Sequence, residues 1–240
     1  SGGPTAAINA TVAGVVSCAV LSGKVDHIYG AVNGIEGVLA EKFLDLGKKL
    51  DSAEKISLLM QTPAAALGSC RYKLGDPEEN KEDFEEILQI FRRHEIRYFI
   101  YIGGNDSMDT VDKMSKYCKE NGVDDVFVVG APKTIDNDVW GTEMTFGFQS
   151  AVDIATEVID CIHTTATSHG RIFIVEVMGH KVGWLNLYAG IAGGADIILL
   201  PEIPYDINEI AKVIEKREQA GKRFSILAVA EGAISKEEAK

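Results

Sequence analysis

Short apolar runs bounded by glycine alternate along this chain with longer amphipathic stretches, and this alternation most constrains its fold. Repeated strand, helix, strand units are typical of an α/β protein with a parallel sheet. We predict strands over residues 27–32, 98–102, 126–130, 172–177, 197–200 and 225–230. Three- and four-residue apolar spacing or helix-forming composition predicts helices over 6–20, 83–94, 145–163 and 208–220, with another beginning near Ser107.

Composition and charge exclude several classes of protein. The chain has 240 residues, of which 46% are hydrophobic and 25% charged, as expected of a soluble globular protein. A net charge of -12 argues against nucleic-acid binding, which needs a basic face. No apolar run approaches the roughly 20 residues of a membrane span, and the start lacks a signal-peptide pattern. Four cysteines without metal-ligand spacing favour a reducing compartment, so we expect a cytoplasmic location.

The organisation of the chain predicts two domains. The clearest candidate boundary lies over residues 141–147, where a charged turn passes into a long helix and a second series of strands. We therefore divide the chain into domains 1–143 and 144–240. The chain opens on a glycine turn without the strand that usually precedes one, so we interpret it as a fragment.

The turn Pro132-Lys133-Thr134-Ile135-Asp136-Asn137-Asp138 follows a predicted strand and carries the richest chemistry in the chain. Ligands of open parallel sheets bind beyond the carboxyl ends of the strands. Asp136 can accept a proton from an attacking hydroxyl, Lys133 can neutralise a transferred phosphoryl group, and Asp138 can hold magnesium. A surface turn rich in Asp and Asn is the structural alternative.

Two glycine turns provide backbone amides that can approach an anion, Gly2-Gly3 and Gly103-Gly104. The second turn is placed like a phosphate loop but continues into Asp106 and Ser107. Neither GxxxxGK[ST] nor GxGxxG occurs, so a P-loop nucleotidase or a standard dinucleotide fold is not supported. The structural alternative is that Asp106 or Ser107 only caps the following helix.

The ordered set of motifs resembles the 6-phosphofructokinase family over essentially the whole chain. The matching segments are the first glycine turn, Gly68-Ser69-Cys70-Arg71, GGNDS, PKTIDND, SHGR, EVMG, AGGA, LPE and Glu231. The resemblance implies an α/β fold of two Rossmann-like three-layer αβα domains with mainly parallel sheets facing a cleft. It also implies magnesium-dependent transfer of a phosphoryl group to the 1-hydroxyl of fructose 6-phosphate, with domain 1–143 binding the donor and domain 144–240 the sugar.

The resemblance implies a role for each matching residue. Asp136, Lys133 and Asp106 would be catalytic, and Asn105 and Asp138 would hold Mg²⁺, although Asn105 replaces the usual aspartate and weakens that site. The substrate contacts would be Thr134, Arg171, Met178, Gly179, His180 and Glu231, with Arg171 reaching a neighbouring subunit of a homodimer or homotetramer. Donor contacts would be Gly3, Arg71, Gly104, Asp106, Ser107 and Lys133.

The phosphoryl donor follows from two positions. Relatives that use ATP usually have glycine at the positions of Asp106 and Lys133, whereas the pyrophosphate-using branch is similar to this chain at both. A carboxylate at Asp106 would repel the inner phosphate of a nucleotide. We therefore expect pyrophosphate as the donor and a reversible reaction, with an ATP-dependent enzyme or a noncatalytic sugar-phosphate sensor as alternatives. Ala13 and Ser17 replace effector-binding arginines of allosteric relatives, so we expect no nucleotide effector site.

Overall fold

The computed structural model describes residues 1–239, which divide into two compact units. The first unit is Ser1–Lys133, and the second begins at Thr134. Both combine helices with strands, and three of the four strand pairings are parallel. The predicted α/β class with mainly parallel sheets is therefore confirmed. Among residues 1–239, no helix has the length and apolar character needed to cross a bilayer.

The first unit has two small sheets and the helices around them. Its βαβ motif joins strand β3 (Tyr98–Gly103) to strand β4 (Phe127–Pro132) through helix α6 (Asn105–Glu120). The two strands pair in parallel, from Tyr98 opposite Phe127 to Gly103 opposite Pro132. The β1 and β2 strands pair in antiparallel fashion. The elements are α1 Ala6–Ser22, β1 Tyr29–Ala31, α2 Gly34–Leu39, β2 Phe43–Asp45, α3 Leu46–Lys49, α4 Ala53–Gln61, α5 Lys81–Arg93, β3 Tyr98–Gly103, α6 Asn105–Glu120 and β4 Phe127–Pro132.

Helix α5 shows why this part of the chain folds as it does. Acidic residues occupy its first turn and basic residues its last, which complements the helix dipole. Its apolar residues Phe84, Ile87 and Phe91 recur on one face, and each is fully buried. They pack with Tyr101 of β3 and other residues in the main core of the first unit. The core therefore supports the strand whose carboxyl end carries the second glycine turn.

The second unit is built on a three-stranded parallel sheet of β5 (Ile172–Val177), β6 (Ile197–Leu199) and β7 (Ser225–Ala230), in the order β5-β7-β6. The central strand β7 is buried over residues 225–228, as expected for a strand with neighbours on both sides. Helices α7 and α8 pack on the sheet through Ile159, Ala166 and Ala189. The elements are α7 Phe148–His169, β5 Ile172–Val177, α8 Trp184–Ala192, β6 Ile197–Leu199, α9 Ile207–Gln219 and β7 Ser225–Ala230.

The division between the units lies at residue 133, earlier than the predicted domain boundary at residue 143. The reason is local hydrogen bonding. The Thr145 hydroxyl donates to the Thr134 carbonyl oxygen over 2.8 Å, and Ile135 packs against Phe148 and Val177. Residues from Thr134 onward are therefore fixed to the second unit, although Lys133 belongs to the first.

Candidate active site

In the first unit, the candidate residues gather at the carboxyl ends of the two parallel strands. The Lys133 amide donates to the Gly103 carbonyl oxygen over 2.7 Å, which continues the strand pairing by one residue. A Cβ atom on Gly103 would overlap the Ser107 hydroxyl, so only glycine lets α6 start this close to the strand. Gly2 has a left-handed φ of 75° and donates its amide to the Cys70 carbonyl oxygen.

The Lys133 side chain is the buried cation of this unit. The residue is only 3% exposed, and its Nζ donates to the Gly3 carbonyl oxygen over 2.7 Å. An ammonium group removed from water is costly unless it is paired and hydrogen-bonded. The predicted donor residues Lys133 and Gly3 are thus brought into direct contact, although 129 residues of the chain lie between them.

The start of helix α6 differs from the structural alternative considered for its sequence. The cap residue is Gly104, and no side chain makes the capping hydrogen bond, so neither Asp106 nor Ser107 caps the helix. The Asp106 carboxylate instead lies 3.0 Å from Lys73 Nζ, with both side chains largely exposed. Asn105 is exposed, whereas Ser107 is buried. Asp106 is therefore accessible at this turn and is paired with a cation that the sequence prediction missed.

In the second unit, the candidate residues gather around Asp136. The Asp136 amide donates to the Thr134 hydroxyl over 3.1 Å. The Thr134 side chain therefore holds the backbone at Asp136. Burial raises the pKa of the Asp136 carboxyl, and the nearby carboxylates of Asp138 and Glu231 raise it further. His180 lowers the pKa of the Asp136 carboxyl. Asp136 is thus a half-buried carboxylate whose surroundings favour the bound proton.

Glu231 holds the segment that follows β5. Its Oε1 accepts the amides of Gly179, at 3.0 Å, and of His180. Gly179 has a φ of 151° and His180 a left-handed φ of 52°. Met178 is 61% exposed beside them. The carboxyl ends of β5 and β7 thus bring together Met178, Gly179, His180 and Glu231, and their role as one substrate surface stays a prediction.

Arg171 lies at the other end of the same strand. It directly precedes β5, whereas Met178 directly follows it, and six residues of strand span about 20 Å. Arg171 is exposed. Within this unit it is therefore not brought to the Asp136 group, and its proposed role in a neighbouring subunit stays a prediction. Arg71, in the first unit, is also exposed and lies outside regular secondary structure.

Asp138 carries the observation most relevant to a metal ion. Its Oδ1 is buried and has no hydrogen-bond partner among the described residues. No cluster of three or more His, Cys, Asp or Glu side chains within residues 1–239 is arranged to hold a metal. Magnesium usually keeps several waters and takes one or two carboxylates together with substrate phosphates. Asp138 fits such a single protein ligand, and the exposed Asn105 amide is a weaker donor to a cation.

Two residues of the second unit were missed by sequence reasoning. Asn137 has a left-handed φ of 57°, and its side chain bonds across the following loop to Glu143 and Thr145. Thr145 is 2% exposed and was placed in the predicted helix, which in fact begins at Phe148. Asn between two aspartates is a turn signal, but its long-range partners cannot be read from spacing.

The arrangement at the strand ends and the order of motifs define a class of protein. The family model described as PFK, phosphofructokinase, matches residues 1–240. This chain belongs to the phosphofructokinase family.

Named relatives and solved structures agree with this assignment. The chain is 41% identical over 245 residues to an ATP-dependent 6-phosphofructokinase of Spirochaeta thermophila, covering 99% of this chain and 63% of the relative. It is 41% identical over 243 residues to a pyrophosphate–fructose 6-phosphate 1-phosphotransferase of Xanthomonas campestris, covering 97% and 56%. A crystal structure of a pyrophosphate-dependent phosphofructokinase from Nitrosospira multiformis aligns with a TM-score of 0.86 at 33% identity, covering 98% of this chain and 60% of that one. The chain thus spans less than two thirds of these proteins.

Proposed function

We propose that the protein of which this chain forms part transfers a phosphoryl group to the 1-hydroxyl of fructose 6-phosphate. The observation that carries the proposal is the half-buried Asp136, whose pKa is raised by burial and by Asp138 and Glu231. Asp136 lies within residues 1–240, which the phosphofructokinase family model matches. A carboxyl group of raised pKa is a better proton acceptor than an exposed one.

The proposed reaction assigns one step to Asp136. The 1-hydroxyl oxygen of the sugar forms a bond to the phosphorus of the donor as Asp136 accepts the hydroxyl proton. The bridging P–O bond of the donor breaks, and the leaving phosphate takes its electron pair. Met178, Gly179 and the segment held by Glu231 orient the sugar so that its hydroxyl faces the carboxylate.

Lys133 is proposed to stabilise the charge on the transferred phosphoryl oxygens. Its buried ammonium is already oriented by the Gly3 carbonyl, so little reorganisation is needed when an anion arrives. Magnesium, held by Asp138 when bound, would supply further charge neutralisation on the donor phosphates.

Pyrophosphate is our proposed donor, because Asp106 places an exposed carboxylate at the turn expected to meet the inner phosphate of a nucleotide. Like charges at short distance discriminate against that group, and pyrophosphate does not carry it. Orthophosphate is then the second product, which makes the reaction reversible.

ATP is the second candidate donor, and two observations favour it. The relative of Spirochaeta thermophila and several others are named ATP-dependent. In addition, Lys73 lies 3.0 Å from the Asp106 carboxylate and offsets part of the charge on which the pyrophosphate argument depends. Relatives named for each donor reach 41% identity with this chain, but more of the relatives compared are named ATP-dependent, so the comparisons favour ATP over pyrophosphate.

The deciding experiment measures fructose 1,6-bisphosphate formation by the full-length protein with each donor in turn, at matched magnesium. We expect kcat/KM to be higher with pyrophosphate than with ATP, and the reverse reaction to consume orthophosphate. A preference for ATP would select the second candidate. Binding of fructose 6-phosphate without turnover with either donor would instead favour the noncatalytic sensor.

A further inference from the structure

The loop that follows Asp136 is closed by the side chain of Asn137. Asn137 Oδ1 accepts the Thr145 amide over 2.8 Å, and Asn137 Nδ2 donates to the Glu143 carbonyl oxygen over 3.1 Å. The Asn137 backbone has a φ of 57°, a region that asparagine tolerates better than most residues. One amide side chain therefore joins the two ends of a nine-residue loop.

Thr145 connects this loop to the start of the turn. Its hydroxyl donates to the Thr134 carbonyl oxygen over 2.8 Å and lies 3.2 Å from Asn137 Oδ1. Thr145 is 2% exposed and Thr134 is 7% exposed. A hydrogen bond between such buried groups is costly to remove, because the remaining partner keeps no water. We call these bonds of Asn137 and Thr145 the Asn137 tie.

The Asn137 tie lies beside two carboxylates of like charge. Asp136 and Asp138 flank Asn137 directly in sequence, and Asp138 Oδ1 is buried without a hydrogen-bond partner among the described residues. Two carboxylates at short range repel each other, and a turn without other restraints relaxes by moving them apart. The bonds of Asn137 to Glu143 and Thr145 oppose that movement from outside the turn, and none of them uses an aspartate side chain.

We propose that Asn137 and Thr145 are positioning residues for phosphoryl transfer, because the Asn137 tie holds the backbone of Asp136 and Asp138 in the reactive arrangement. The inference rests on the proposed function for its catalytic consequence. Its structural part, the restraint of the turn, stands without it. Neither residue touches the reacting atoms in this role, and each acts through the two aspartates.

Two variants break the tie in different places. Thr145→Val keeps the shape of the side chain and removes the hydroxyl. Asn137→Gly keeps the left-handed backbone accessible and removes the side-chain bonds. Thr145→Ser restores the hydroxyl. Thr156→Val in α7 is the matched control, since it makes the same chemical change at a buried hydroxyl without a hydrogen-bond partner among the described residues.

Steady-state kinetics and amide hydrogen exchange on the full-length protein supply the readouts. We expect Thr145→Val and Asn137→Gly to lower kcat by about tenfold or more, since a misplacement of about 1 Å can cost on the order of 100-fold. KM for fructose 6-phosphate should change little, whereas the thermal midpoint of Thr145→Val should fall, because the Thr134 carbonyl oxygen loses a buried hydrogen-bond partner. Exchange should accelerate over residues 134–145 and not elsewhere. Thr145→Ser should recover most of the kcat, and Thr156→Val should match the parent protein.

Each outcome decides a separate point. Unchanged exchange over residues 134–145 in both variants overturns the tie. Faster exchange with unchanged kcat overturns the positioning role. If Thr145→Val does not fold, Asn137→Gly carries the same measurements, because glycine accommodates the left-handed backbone at this position. If the parent protein has no turnover with either donor, the proposed function fails, and exchange alone then decides whether the tie restrains the turn.

Discussion

The central candidate residues of the two units, Lys133 and Asp136, carry opposite charges. In the first unit, a buried ammonium, Lys133, is held by a backbone carbonyl beside glycine turns. In the second unit, the carboxylates of Asp138 and Glu231 are close enough to Asp136 to raise the pKa of its carboxyl. One set of residues is suited to an anion, and the other is suited to a proton or a cation. In a chain with a net charge of -12, the buried ammonium of Lys133 thus lies at the strand ends where we propose that phosphate binds.

The comparison also shows that the two sets are held by different parts of the chain. In the first unit the restraints come from strand pairing and from Gly3, which is far away in sequence. In the second unit they come mainly from neighbours in one turn and from the end of β7. The consequences of substitution should differ accordingly, with donor use affected by one set and proton transfer by the other.

The largest effect is expected for Asp136→Asn. This variant keeps the shape of the side chain and removes the proton acceptor, so kcat should fall by about 10²- to 10⁴-fold with both donors. Initial-rate assays on the full-length protein measure it. Asp160→Asn, an exposed change of the same kind on α7, should behave as the parent does. Near-normal turnover of Asp136→Asn would remove the proposed base.

Lys133→Met comes next and probes the first unit. Removing the ammonium should lower kcat/KM for the donor by about 100-fold, because charge stabilisation of the transferred group is lost. KM for fructose 6-phosphate should remain close to that of the parent. Lys113→Met is the matched control, since Lys113 Nζ also donates to a backbone carbonyl, that of Leu74, but outside the turn. Equal losses in both variants would argue against a specific role for Lys133.

Asp106→Gly should have an intermediate effect on donor choice. Without the carboxylate, the ratio of kcat/KM for ATP to that for pyrophosphate should rise by about tenfold, which corresponds to about 1.4 kcal/mol. Asp106→Asn separates charge from size, and Asp112→Asn later on the same helix is the control. An unchanged ratio in Asp106→Gly would show that this residue does not select the donor.

The smallest effect concerns stability and pH. The pKa of Asp136 is raised above its ordinary value of 3.8, because the folded protein favours the protonated carboxyl. Asp136 therefore stabilises the fold below that pH, and this stabilisation is lost as the pH rises and the carboxyl ionises. Asp136→Asn should therefore increase the free energy of unfolding at neutral pH, in magnesium-free buffer, and the gain should disappear near pH 3.8.

Glu41 in the first unit gives a comparison of opposite sign. A hydrogen bond from His94, with the charge of Arg93, lowers the pKa of Glu41 below its ordinary value of 4.5. Its stabilising contribution is present at neutral pH and is lost as the pH falls through the lowered value. Glu41→Gln should then reduce stability at neutral pH. Denaturant unfolding at several pH values measures both variants. If the two substitutions changed the pH dependence of the free energy of unfolding in the same direction, the opposite signs inferred for Asp136 and Glu41 would be wrong.

Much of the scaffold followed from sequence, because its strands have strong local signals. β5 and β7 have the predicted bounds, since each is an apolar run that ends at a polar or glycine-containing turn. β2 was missed because its three residues are too few to show a period. The start of α7 was placed too early, because Thr145 bonds Thr134 and Asn137 instead of entering the helix.

The candidate residues were found from motifs, but their partners were not. The contact of Lys133 with Gly3 depends on tertiary folding, and no spacing rule predicts which carbonyl a buried lysine will meet. The pairing of Asp106 with Lys73 likewise joins the start of α6 to an irregular segment that is distant in sequence. Gly104 was recognised as part of a phosphate-type loop, yet its place as the helix cap became visible only in the backbone geometry.

The position of Arg171 at one end of β5, with Met178 at the other, has a consequence for mixed oligomers. If each subunit lends its arginine to a neighbour, a hybrid dimer of one subunit altered at Arg171 and one altered at Asp136 contains one centre with two defects and one that is intact. Mixing the two inactive variants would then restore part of the activity. Genetic complementation between the two alleles would follow, because β5 separates Arg171 from the Asp136 group of its own subunit.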